Sequence, residues 1–199
     1  MVSFSIAVLV LAATPGPALL SIVAVGSTFG FKQGTRYVIG ALAGANIVIL
    51  MVISGFAPLL TNFPGLRTIL AVFSLCYLVY IAWQIATASN VLNKNKKVKI
   101  VGFSDGIFIQ LFNPKAYAVA LALFFGFPLF YQNFAIETLT KLIMVNGIFV
   151  PAYMFWLLLG VKLRTLNLSP RLAKTVNQLL ALSMLLAVVF SSSSVTLSM

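Results

Sequence analysis

Histidine is missing from these 199 residues, cysteine occurs once, as Cys76, and the acids number two, Asp105 and Glu137. Without histidine there is no imidazole proton relay, and zinc sites lose their commonest nitrogen ligand. A lone cysteine excludes disulfides and thiol pairs within one chain. Few acid–base or metal mechanisms survive these absences, so the chain reads as no enzyme, with neither cofactor nor metal. Charge is scarce too: only 8% of residues are charged, too little for a soluble domain of this length. The net charge of +11 does not imply nucleic-acid binding, because the basic residues fall in short loops between apolar runs.

What is abundant is apolar sequence, at 61% of residues with a mean hydropathy of +1.10. The reading is an all-α integral membrane protein with six transmembrane helices: Phe4–Ser27, Tyr37–Leu60, Thr68–Ala88, Phe103–Leu129, Leu139–Gly160 and Ala173–Phe190. Met1-Val2-Ser3 lacks a basic leader, and the first apolar run is long enough to remain as a span rather than be cleaved. The loops after spans one, three and five carry Lys32 and Arg36, then Lys94, Lys96, Lys97 and Lys99, then Lys162, Arg164, Arg171 and Lys174. Only Arg67 and Lys141 stand on the other side, so the positive-inside rule puts the odd loops in the cytoplasm and both termini outside. The basic run in the loop 91–102 is a topology signal, or a contact for anionic lipid.

The chain is punctuated twice inside its spans. Thr14-Pro15-Gly16-Pro17 breaks the first, and Asn113-Pro114-Lys115 breaks the fourth. Thr14 and Asn113 are good N-cap residues, each followed by proline at the N1 position that proline favours. Each site therefore reads as a half-helix starting at membrane depth, its free N–H groups facing the midplane. Irregular backbone is tolerated there only when buried in protein or lining a cavity. Paired interruptions in matching positions of two halves point to a transporter binding site; proline kinks that only shape packing are the other reading. Three spans per half make the second half enter the membrane inverted, giving a single transporter domain over residues 1–199: repeat one 1–90, the basic loop, and repeat two 103–199. Pro15 aligns with Pro114 at an offset of 99, and Asn46 with Asn146 at an offset of 100.

Among embedded polar groups, Lys115 is the clear ionisable case, placed to pair with a substrate carboxylate or else to snorkel or bind a backbone carbonyl. Asp105 sits near the mouth of span four, either as a helix-terminal acid or as a carrier of a proton or partner of an ammonium. Asn46, Asn146, Gln110, Tyr77, Tyr117, Tyr153 and Asn177 either line a path or make interhelical hydrogen bonds. Gly26, Gly30 and Gly34, and Gly40 and Gly44, recur every four residues, a spacing for close helix packing or for flexing.

Ala13-Thr14-Pro15-Gly16-Pro17, Gly34, Gly40-x-x-x-Gly44, Tyr77-Leu78-x-Tyr80 with Trp83, Phe103-x-x-Gly106, Asn113-Pro114-Lys115-Ala116 and Pro128-x-Phe130 together make the text similar to the LysE/RhtB family of amino-acid exporters. The resemblance runs in order over nearly the whole chain. It implies a bacterial inner-membrane protein that exports amino acids or close derivatives on the proton-motive force as a homodimer. Residue by residue it covers Pro15, Gly16, Pro17, Asn113, Pro114 and Lys115. Ala18 stands where the family commonly has an aspartate, Tyr153 where it has an acid three residues before Trp156, and Ala82 where a glycine precedes Trp83. The lead before Thr14 is a few residues shorter than in the family, as if the start were incomplete.

The expectation is therefore a secondary transporter that exports small zwitterions by proton antiport with alternating access. The substrate site falls to Thr14, Pro15, Gly16, Pro17, Asn46, Asn113, Pro114, Lys115 and Asn146, with Asp105 for coupling. The missing acids fit a less cationic substrate or a copy drifting from function. A passive pore or structural membrane subunit without coupling is the alternative from another class.

Overall fold

The protein is described here by a computed structural model covering residues 1–56, 101–130 and 133–166. It also places the helical positions Val72, Cys76, Val79, Tyr80, Trp83, Leu172, Thr175, Gln178, Leu179 and Leu182. Most of the expected third and sixth spans, and the lysines of the loop between spans three and four, lie outside these residues, as do Tyr77 and Asn177. All regular structure among the described residues is helical: α1 (Val2–Ala13), α2 (Pro17–Phe29), α3 (Phe31–Met51), α4 (Phe103–Leu111), α5 (Pro114–Gly126) and α6 (Phe134–Thr165).

Two of these elements are long and apolar enough to cross a membrane alone, α3 with its extension to Gly55 and α6. The 12 residues of α1 and 13 of α2 reach only about 18 and 20 Å, short of a bilayer core. Taken as bent pairs, α1 with α2 (52°) and α4 with α5 (68°) would make two further spans. Both expected interruptions are therefore present as breaks between helices.

The first break begins later than the sequence suggests. Thr14 does not cap α2; it ends α1, with its N–H and hydroxyl both on the Val10 carbonyl at 2.9 and 2.7 Å. Gly16 is the N-cap and Pro17 the N1 residue. The reason is the pair of prolines. A residue before proline is pushed to extended backbone, so Thr14 (ψ 117°) and Gly16 (ψ 178°) are both held out of the helix and α2 cannot start before Pro17. At the second break a single proline leaves the expected cap in place, with Asn113 Oδ1 accepting from the Lys115 N–H at 3.1 Å.

Two seams of backbone contact join these helices, and both rely on glycine. On the α3–α4 seam, a methyl group at Gly40 would strike the Phe103 carbonyl, one at Gly106 the Tyr37 carbonyl, and one at Gly44 would lie 2.7 Å from the Ile107 oxygen. On the α2–α6 seam, Gly160 meets the Val23 carbonyl, and a methyl at Gly26 would lie 2.9 Å from the Leu157 oxygen. Small residues at this spacing let helix axes close to backbone contact. Both seams lie toward one end of the molecule, where Gln33 also donates to the Val101 carbonyl at 2.8 Å and Arg164 packs over Gly30. Gly30 (φ 80°) supplies the left-handed residue that turns α2 directly into α3. We call this the basic end, since Lys32, Arg36, Lys162 and Arg164 gather there. Gly55, Gly126 and Gly147, toward the other end, have nothing within 4 Å of an added methyl.

The far end is tied by an ion pair. Lys141 is 1% exposed, paired with Glu137 one turn earlier, and donates to the Phe124 carbonyl at 2.8 Å. Glu137 also accepts the N–H groups of Leu129 and Phe130, both at 3.2 Å. The pair thus fastens the C-terminal end of α5 to the start of α6. Helix α6 starts at Phe134, ahead of the expected Leu139, because Asn133 Oδ1 caps it by accepting from the Ile136 N–H at 3.1 Å. Replacing Lys141 by Met leaves the Phe124 carbonyl and the carboxylate without their cation, and the melting temperature in detergent is expected to fall by roughly 5 °C or more.

Candidate functional site

The four helix ends created by the two breaks meet. At a helix C-terminus the last carbonyls are unpaired and the dipole is negative, so the end of α1 favours a cation. Lys115, in the first turn of α5, supplies one: its Nζ donates to the Thr14 carbonyl at 2.7 Å, joining residues 101 positions apart. Gly16 leaves room for that side chain, since a methyl group there would lie 3.0 Å from the lysine Cδ and 3.2 Å from Nζ. Of the readings open for Lys115, the carbonyl contact is the one the structure shows.

Beside this bridge lies a half-open cleft with a cavity volume of about 50 Å3, room for a few water molecules. Both breaks contribute to its wall through Gly16 and Asn113, α3 through Ala45 and Ile49, and α6 through Phe149 and Tyr153. Most of the wall is apolar. Among the described residues its polar side chains are Gln110, Asn113, Lys115 and Tyr153, so Lys115 is the single charge there. Ala18 and Tyr153, the two positions that depart from the resemblance toward neutral residues, both line it.

Gln110 and Tyr153 form a buried pair across the cleft. The Gln110 amide donates to the Tyr153 hydroxyl at 2.7 Å, and the side chains are 2% and 5% exposed residues. Stacking on Phe149, with ring centroids 5.6 Å apart, holds the Tyr153 ring in place. In the sequence both stand among several neutral polar residues; Tyr153 is marked only as a position where the resembled family has an acid, and Gln110 not at all. Tyr117, of that same group, only caps the end of α4 through the Leu111 carbonyl at 2.9 Å.

Asn46 and Asn146 are brought together, though not into the cleft wall. Each amide donates to the other's oxygen, at 2.9 and 2.8 Å, and each also donates to its own helix carbonyl four residues back, on Leu42 and Leu142. The contact is reciprocal, residue for residue, between α3 and α6. Replacing either asparagine by Leu is expected to cost about 1 kcal/mol, and replacing both should cost clearly less than the two losses added, as a double-mutant cycle on unfolding would show.

The remaining expected site residues divide. Pro15 is exposed, and Pro17 is buried at the start of α2; neither lines the cleft. Pro114 fixes the first turn of α5, which presents Lys115. Asp105 lies at the N-terminal turn of α4, toward the basic end, and its carboxylate accepts the Gly102 N–H at 2.8 Å. Among the described residues no group of three or more potential metal-binding side chains occurs.

Comparison with known proteins adds a lineage. The family model described as LysE type translocator matches residues 9–194. Cysteine/O-acetylserine efflux proteins of Salmonella typhimurium and Escherichia coli O157:H7 are 30% and 31% identical over 107 residues. That stretch is 54% of this chain and 54% of each relative, so the match spans about half the length of these curated relatives. No solved structure matches.

Proposed function

The chain belongs to the LysE-type translocator family, and from that premise we propose that it exports amino acids or related small zwitterions across the bacterial cytoplasmic membrane. The observation that carries the reading is the Lys115–Thr14 bridge beside a mostly apolar cleft, where both interrupted helices end. A zwitterion needs a cationic partner for its carboxylate and carbonyls for its ammonium. Lys115 with the N-terminal N–H groups of α5 offers the first, and the C-terminal carbonyls of α1 offer the second. The relatives' names, which specify efflux of amino acids, agree with that chemistry.

In this proposal the protein is two inverted three-helix repeats, and the reciprocal Asn46–Asn146 contact marks their shared axis. The basic end faces the cytoplasm and both termini lie outside. The glycine seams close the cytoplasmic side in the present state, and alternating access parts them while the far end closes. Asp105, pinned to Gly102 at the sealed end, is the coupling acid: opening frees its carboxylate to exchange a proton. A passive pore is favoured by one observation, the lack of an acid in the cleft wall.

Inverted vesicles holding the full chain, tested with a panel of labelled amino acids with and without a protonophore, separate the two. Accumulation against a gradient, collapsing with the protonophore, is expected. Flux that follows only the solute's own gradient would establish the pore, and no flux for any amino acid would remove the exporter reading.

A further inference from the structure

Among the described residues the cleft has one cation and no anion to set against it. The chain's only acidic side chains are Asp105 and Glu137. Asp105 binds the Gly102 N–H below the cleft, and Glu137 is paired with Lys141 at the far end. A solute bearing a second positive charge would bring it into a largely apolar, half-enclosed site with Lys115 beside it and no counter-ion, which is costly. A solute with an uncharged side chain meets no such cost.

The Gln110–Tyr153 pair then becomes informative. Buried polar groups are normally satisfied, and this pair uses only part of its capacity on itself. As placed, the tyrosine hydroxyl accepts from the amide, and among the described residues no acceptor is shown for its own proton. Turning the amide over would leave a donating NH2 free instead. In either arrangement the pair presents both a donor and an acceptor to whatever fills the cleft, and the Phe149 stack fixes its position.

Resting on the transport site proposed above, we propose that Gln110 and Tyr153 are specificity-determining residues that read the substrate side chain and select amino acids with small, uncharged, hydrogen-bonding side chains. The carboxylate and ammonium lie at the Lys115–Thr14 bridge. The side chain points toward Gln110 and Tyr153, where a hydroxyl, thiol or ester completes the pair's hydrogen bonds. A purely aliphatic side chain of the same size leaves them unmet, and a cationic one finds no counter-ion.

Binding of labelled L-alanine, L-serine, L-cysteine and L-lysine to the full chain in lipid nanodiscs tests this. The intact protein is expected to bind serine and cysteine about tenfold more tightly than alanine, and lysine at least a further tenfold more weakly. Tyr153→Phe keeps the ring stack and should abolish the preference for serine and cysteine over alanine. Gln110→Met should do the same, which guards against a folding defect in either variant. Tyr153→Glu should gain lysine binding. Equal affinities for serine and lysine in the intact protein, or an equal loss for alanine and serine in both conservative variants, would overturn the specificity role while leaving the transport reading standing. Failure of every amino acid to bind would overturn both.

Discussion

Lys115→Met is expected to weaken amino-acid binding by about tenfold to a hundredfold and to abolish measurable export, with membrane insertion unchanged. The size follows from the loss of one charge-assisted hydrogen bond to a carboxylate, worth about 1.5–3 kcal/mol. The side chain reaches the Thr14 carbonyl from the opposite half of the chain, so it also holds the two breaks together. Methionine keeps much of the aliphatic stem and removes only the charge. Binding of a labelled amino acid, alongside a quantified membrane fraction, checks both halves of the expectation. Unchanged export would remove Lys115 from the site.

Gly40→Leu is expected to prevent the basic end from closing. A single methyl at this position already collides with the Phe103 carbonyl, which is backbone and cannot swing aside. Overpacking of this kind commonly costs 1–3 kcal/mol, and a side chain of four carbons against a carbonyl belongs at or beyond the upper end, roughly 3 kcal/mol. The helices α3 and α4 must separate for the protein to fold at all. The expected phenotype is loss of coupled export together with faster labelling, from the basic side, of a cysteine introduced at Ile107. The equivalent change at Gly147, which has open space around it, should leave labelling at Ile107 unaltered.

Much of this arrangement was legible in the residues. Asn113 followed by Pro114 specifies a cap and a helix start, and both are found. Asn46 and Asn146, matched only by their offset, turn out to be bonded to each other. The glycine spacing forecast close packing, and Gly26, Gly34, Gly40 and Gly44 all meet a neighbouring helix. Thr14-Pro15 misled because the local rule for one proline was applied where a second, at Pro17, overrides it. Glu137 and Lys141 misled differently. The expected fifth span begins at Leu139, past Glu137, with Lys141 counted as an outer basic residue, whereas an i, i+4 pair with satisfied hydrogen bonds lets the helix carry both. The pairing of Gln110 with Tyr153 was not legible, since it is a tertiary contact across 43 positions; the sequence marked Tyr153 only as a departure from the resembled family's acid.

The central claim is that the cleft beside the Lys115–Thr14 bridge is where the transported solute sits. Cys76 is the only cysteine, so Cys76→Ser gives a thiol-free background into which Ala116→Cys, on the cleft wall next to Lys115, can be placed. The measurement is the rate at which a membrane-impermeant thiol reagent labels that cysteine in oriented vesicles, with and without the amino acid that the reconstituted protein transports. Labelling reached from the side opposite the basic loops, and slowed severalfold by saturating substrate, is the result this account predicts. A rate that transported substrate leaves unchanged would place the solute's path elsewhere.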